Sequence, residues 1–168
     1  SNALSTITGY FNFHNIAIGR NSLTNLTDGG QSNVAIGIEA SYVATTAYYT
    51  TAVGYRALYN NTTDNGSTAV GYKSGGGDFL TGGTYLGYEA GNLDSDSKDY
   101  QVAIGYSAMD DCSGDYSVAV GYKAMTDGNH YQSVAIGFNA LARSSTSNPY
   151  YNIAIGAYAG DSISSGDR

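Results

Sequence analysis

One short pattern returns from end to end of the chain: polar, β-branched, Ala, aliphatic, Gly, aromatic, any residue, Ala. Its cleanest copy is Ser133-Val134-Ala135-Ile136-Gly137-Phe138-Asn139-Ala140. The pattern glycines are Gly19, Gly37, Gly54, Gly71, Gly87, Gly105, Gly121, Gly137 and Gly156, and subtraction gives intervals of 18, 17, 17, 16, 18, 16, 16 and 19 residues. A period held this closely over a whole chain predicts a stacked array, in which each unit buries its apolar face on the next, rather than a globular core.

Composition agrees. Tyr occurs 17 times and Gly 23 times, Trp is absent and charged residues make up 12% of the 168 positions, a balance that favours strands and turns over amphipathic helices. The formal net charge of -7 opposes attraction to phosphate, and the seven Lys and Arg residues are dispersed along the sequence, so neither nucleic acid nor an anionic membrane is an expected partner. No run of about 18 apolar residues is present to span a bilayer. Ser1-Asn2-Ala3 reads as the scar of a cleaved tag, with the natural N-terminus expected beyond it. Cys112 is the single cysteine, and Asp110 and Asp111 beside it disfavour the thiolate, so it reads as inert.

The chain divides into a tag remnant and leading cap at 1–14, a repeat domain at 15–160 and a truncated exit segment at 161–168. Within each repeat, alternation places the Val/Ile pair on one face and the polar, Ala and Gly positions on the other. The expectation is that Val and Ile, as in Val134 and Ile136, fill the coil, while the Ala/Gly column lets another backbone approach. A small residue three positions past each glycine, such as Ala40, Ala57 or Ala124, suits a corner leading into a second strand. Turn-rich segments of varying length separate the repeats. The predicted fold is all-β: a single-stranded parallel β-roll, or β-solenoid, of about nine rungs at about 4.8 Å each.

The Ser-Val-Ala-Ile-Gly-x-x-Ala unit, as in Ser133 to Ala140, resembles the head repeats of trimeric autotransporter adhesins, the YadA-like head domains, and similar repeats occur in bacteriophage tail fibres. The likeness covers roughly residues 15 to 160. It implies a left-handed parallel β-roll, a homotrimer about a common axis, and non-catalytic attachment to a host surface protein, matrix protein or glycan. The implied location is extracellular, at the cell surface or on a virion, without membrane insertion by this segment. Adhesin head and tail-fibre shaft or receptor-binding segment both stay open.

Sites for chemistry are sparse, and no catalytic residue, metal or cofactor is expected. His14 and His130 are the only histidines and lie about seven repeats apart, too far to serve one triad. Glu39 and Glu89 are the only glutamates, three repeats apart, which leaves a polysaccharide-cleaving tailspike dependent on carboxylates from different chains. Asp94, Asp96 and Asp99, like Asp110, Asp111 and Asp115, supply hard oxygens but lack the spacing of a calcium loop, and read as solvated turns. Tyrosines are the more telling set. Tyr55, Tyr72, Tyr88, Tyr106, Tyr122 and Phe138 share one phase and are expected to stack as a structural ladder. A second group, Tyr49, Tyr100, Tyr116 and Tyr151 with Tyr131 adjacent, borders the variable segments and supplies the candidate ligand-binding residues.

Overall fold

The computed structural model describes residues 14–161 apart from 28, 64, 78, 93–96, 113, 129 and 144–149. The expected cap before residue 14, the exit segment beyond Asp161, and Asp94 and Asp96 therefore lie outside the described residues. Eleven three-residue strands follow in order: β1 (Ile16–Ile18), β2 (Val34–Ile36), β3 (Thr51–Val53), β4 (Thr68–Val70), β5 (Phe79–Thr81), β6 (Thr84–Leu86), β7 (Ser97–Asp99), β8 (Val102–Ile104), β9 (Val118–Val120), β10 (Val134–Ile136) and β11 (Ile153–Ile155). Nine of them form one sheet in the order β1-β2-β3-β4-β6-β8-β9-β10-β11, and β5 pairs with β7. Every pairing is parallel, and in the nine-stranded sheet motif residue lies on motif residue, as in Ala119↔Ala135 and Val118↔Val134. The result is a parallel β-solenoid of about seven turns, with no helix among the described residues.

The faces of the sheet are the reverse of the sequence expectation. Ala35, Ala52, Ala69, Ala103, Ala119 and Ala135 at the strand centres are completely buried inside the coil, whereas the flanking aliphatics point outward. Ile18 is 58% exposed and Ile155 68%, and Val134 and Ile136 flank the coil rather than fill it. The width of the coil explains the inversion. Residues four past the motif glycine, Leu23, Leu58, Met109, Met125 and Leu141, enter from the opposite wall and are fully buried. They use the space that a second row of Val and Ile would need, and each contributes about 1.5–3 kcal/mol by burial.

Closeness between backbones is also internal to the chain. The motif glycines from Gly19 to Gly137 hold φ between 124° and 142°, and a Cβ on any from Gly19 to Gly121 would overlap the carbonyl oxygen of the equivalent glycine one turn on. The glycine column thus serves turn-to-turn stacking, not the approach of another chain.

Three corners per repeat sit in the left-handed region. They fall five residues before the glycine, two after it and four after it, as at Tyr116, Lys123 and Met125 around Gly121, with φ of 58°, 48° and 56°. Each such non-glycine residue costs roughly 1–2 kcal/mol. Hydrogen bonds to both neighbouring turns offset this: Lys123 N–H donates to Tyr106 O at 2.9 Å in the preceding turn, and Met125 N–H donates to Ala140 O at 2.8 Å in the following one. The small residue after the first corner therefore leads into a second left-handed corner, not into a second strand.

The polar position of the motif is an internal ladder. Asn33 Oδ1 accepts from Thr50 N–H at 3.0 Å and from the Thr50 hydroxyl at 2.8 Å, and Ser117 Oγ accepts from Ser133 N–H at 3.1 Å while donating to His130 O at 2.7 Å. Buried backbone donors that face a corner instead of a strand are satisfied this way.

At β6 the pattern breaks and the core rearranges around the break. Tyr85 replaces the strand-centre Ala and is fully buried; glycines at 75, 83 and 91 surround its ring, and a Cβ on Gly83 or Gly91 would overlap it. Gly75 and Gly91 occupy the position that carries Leu or Met in five of the other seven repeats. Its hydroxyl donates to Gln101 Oε1 at 3.5 Å, and Gln101 Nε2 donates in turn to Gly114 O.

Candidate functional site

Two surface features follow from these corners. The first is aromatic. Tyr55, Tyr72, Tyr88, Tyr106, Tyr122 and Phe138 stand half-exposed just after the motif glycines and stack as the period requires, with successive ring centroids 5.3, 4.8, 4.8, 5.3 and 5.0 Å apart. Burial between rings, then the charge of Glu89, raises the Tyr88 hydroxyl above its usual value.

The candidate tyrosines line the corner five residues before each glycine, or the position beside it. Tyr49 is 67% exposed and tilted against Tyr48. Tyr100 and Tyr116 stack at 5.4 Å with more than half of each side chain in solvent. Tyr131 stacks on Tyr150 at 5.3 Å, and Tyr150 leans on Tyr151 at 6.1 Å. The structure thus joins Tyr100 with Tyr116, and Tyr131 with Tyr151 through Tyr150. It leaves Tyr49 apart, because Gly66 and Gly82 hold the same corner in the two intervening repeats. The left-handed backbone at these tyrosines belongs to the corner and not to tyrosine, since Ser32, Gln132 and the two glycines share it.

The second feature was not legible as a cluster. Two positions past the glycines, Glu39, Arg56, Lys73 and Glu89 occupy successive turns in the charge order minus, plus, plus, minus. Arg56 Nε donates to Glu39 Oε2 at 2.7 Å, and Lys73 Nζ lies 4.0 Å from Glu89 Oε1. The guanidinium also lies 5.2 Å from the centre of the Tyr55 ring and 4.8 Å from that of Tyr59, while Lys73 Nζ is 5.5 Å from that of Tyr72. The hydrogen bond from Arg56 to Glu39 is the main cause that holds the guanidinium above its usual value. Beside the two cations opens a groove of about 230 Å³ lined by Arg56, Tyr59, Asn60, Lys73, Gly76 and Asn92. Asn60 Nδ2 donates to Gly76 O at 3.1 Å, and a Cβ on Gly76 would overlap the Asn92 amide oxygen. The only sequence signal for this site is the 17-residue spacing of Arg56 and Lys73, one repeat.

The remaining titratable groups do not converge. Among the described residues no three His, Cys, Asp or Glu side chains come together as a metal site. His130 is buried within the coil, and burial lowers its basicity; neither ring nitrogen meets hydrogen-bond geometry, although the Asp127 backbone offsets part of the effect. Asp110 is pushed up to about 6, chiefly by burial and then by Asp111 and Glu89. Cys112 is a buried thiol. No helix among the described residues is long and apolar enough to cross a membrane. No protein-family model matches the chain, and neither does any curated protein or solved structure.

Proposed function

We propose that the chain is a non-catalytic attachment module: a left-handed β-roll of about nine rungs, homotrimeric, displayed outside the cell on a surface adhesin and bound to a host surface protein, matrix protein or glycan. The observation that carries this reading is the outward aliphatic face. Ile18, Ile36, Val53, Val70, Leu86, Ile104, Val120, Ile136 and Ile155 form one outward column, exposed or half-buried on all nine strands of the sheet, so the apolar stripe runs the length of the rod. Soluble monomers rarely leave a continuous stripe of this kind. A parallel, in-register array matches a second copy of itself at every turn, which suits association about an axis along the rod. Covering the stripe leaves the corners and loops to meet a receptor, and the stacked pair Tyr100 and Tyr116 offers two amphipathic rings there.

The same architecture in a bacteriophage tail fibre, as shaft or receptor-binding segment on a virion, is the second reading. The aliphatic stripe favours it equally, since a fibre needs the same association. In both readings Glu39 and Glu89 act as partners of Arg56 and Lys73 and not as a glycosidase pair. The test is attachment: the whole chain is applied to a panel of matrix proteins, glycans and intact cells, with glycan cleavage followed in parallel. Saturable binding without new reducing ends is expected. Release of reducing ends, or no binding to any surface, contradicts the reading.

A further inference from the structure

Arg56 and Lys73 are like charges on adjacent turns of a chain with net charge -7, a placement that costs energy unless something negative is shared between them. Glu39 and Glu89 do not stand between them. They flank the pair on the outer turns, and Lys73 is 4.0 Å from its glutamate, a loose contact that a ligand can replace. Arg56 is already fixed: Glu39 takes its Nε–H, and the Tyr55 and Tyr59 rings hold the guanidinium at about 5 Å. A guanidinium has four further N–H donors, arranged to meet two oxygens of one anion.

The rest of the groove is polar and small. Asn60, whose Nδ2 is committed to Gly76 O, keeps its carbonyl oxygen as an acceptor for a hydroxyl, and the Asn92 amide lies across Gly76 from it. A volume of about 230 Å³ is below the roughly 300–1,000 Å³ of pockets for drug-sized molecules, which fits one sugar ring better than a nucleotide. Two cations for an acid group, and amide oxygens for hydroxyls, are the complement of an acidic sugar. We propose that the groove between Arg56, Lys73, Asn60 and Asn92 binds one residue of an acidic saccharide through its carboxylate or sulfate. This deepens the attachment reading and rests on it, placing the receptor among charged glycans and the contact on the charge ladder, away from the candidate tyrosines.

Calorimetric titration of the whole chain at low salt tests it with three probes of one backbone: an oligosaccharide of alternating hexosamine and uronate, the same backbone bearing sulfate esters, and its carboxyl-reduced neutral form. The expected result is binding of an acidic probe in preference to the neutral one, weakened about tenfold or more in Lys73→Gln, retained in Lys73→Arg and unchanged in Lys123→Gln, which removes a cation at the same corner outside the groove. Equal affinity for both acidic probes assigns the carboxylate, and preference for the sulfated one assigns the ester. Circular dichroism checks that each variant folds, and Lys73 is the position varied because it has one ring contact and a 4.0 Å ion pair, against two ring contacts and a 2.7 Å hydrogen bond for Arg56. Failure of both acidic probes to outbind the neutral one, or full affinity in Lys73→Gln, overturns the proposal. A chain that then still binds a matrix protein or neutral glycan keeps the attachment reading, whereas one that binds no surface loses both.

Discussion

The inner and outer faces of the nine-stranded sheet alternate along the same three-residue strands, yet they follow different rules. Inside, volume is traded between the two walls around Tyr85. Ala119 is matched by Met109 and Met125 from the opposite wall, and where Tyr85 replaces Ala the facing positions shrink to Gly75 and Gly91. Outside, the column just before the glycines stays aliphatic, with Ile, Val and Leu interchanging, while Thr enters the other column at Thr51, Thr68 and Thr84. An interior that adjusts one residue to another is complete within one chain. The aliphatic outer column shows no such adjustment, and it is the face that the proposed association would cover.

Predictions that break the inner face should be the most destructive. Gly121→Ala places a methyl group against Gly137 O at a backbone φ of 141°, and Gly137 cannot yield because its N–H donates to Val120 O at 2.8 Å. Conformational strain of about 1–3 kcal/mol and overpacking of similar size predict a loss toward the upper end of about 2–6 kcal/mol, read by thermal or denaturant unfolding. Tyr85→Ala should cost about 3–5 kcal/mol by cavity formation. Adding Gly91→Leu restores the usual pairing at a corner where Leu58 already tolerates φ of 51°, so the double variant should be more stable than Tyr85→Ala alone. A double variant less stable than Tyr85→Ala would refute volume exchange between the walls.

Acid gives a smaller and two-sided effect. His130 is depressed in the fold, so its contribution is complete above the unfolded value of about 6.5 and is lost as pH falls from there through the folded value. Asp110 is raised to about 6 from 3.8, so its contribution is complete below 3.8 and is lost as pH rises through about 6. The two oppose each other. Asp110→Asn removes the compensating group, and its melting temperature should fall more steeply than that of the parent chain between about pH 6.5 and 4. Equal slopes would show that Asp110 is solvated.

Much of this architecture is legible in the sequence because the period carries it. The strands at Val118–Val120 and Val134–Ile136, their register and the ring ladder from Tyr55 to Phe138 all follow from counting. Alternation also separates Val134 and Ile136 from Ala135, but it does not say which side is inside; that depends on how far Met125 and Leu141 reach across the coil. The left-handed corners leave no compositional trace, since Glu39, Lys73, Ser107 and Asn139 adopt the same conformation at one position. The cationic groove was hidden for a related reason. Arg56 and Lys73 appear dispersed until one repeat is laid on the next, and their neighbours Asn60 and Asn92 come from segments of unequal length.

The outer face should matter least to the coil and most to assembly. Ile104→Asp combined with Ile136→Asp substitutes outward positions on two strands separated only by β9, and the far-ultraviolet spectrum should be nearly unchanged. Sedimentation equilibrium at micromolar concentration compares this variant with the parent chain. Burial of the aliphatic stripe between copies predicts three times the 17.5 kDa chain mass for the parent and a single chain mass for the variant. A parent chain that sediments as a folded monomer, or a variant that remains trimeric, would contradict it.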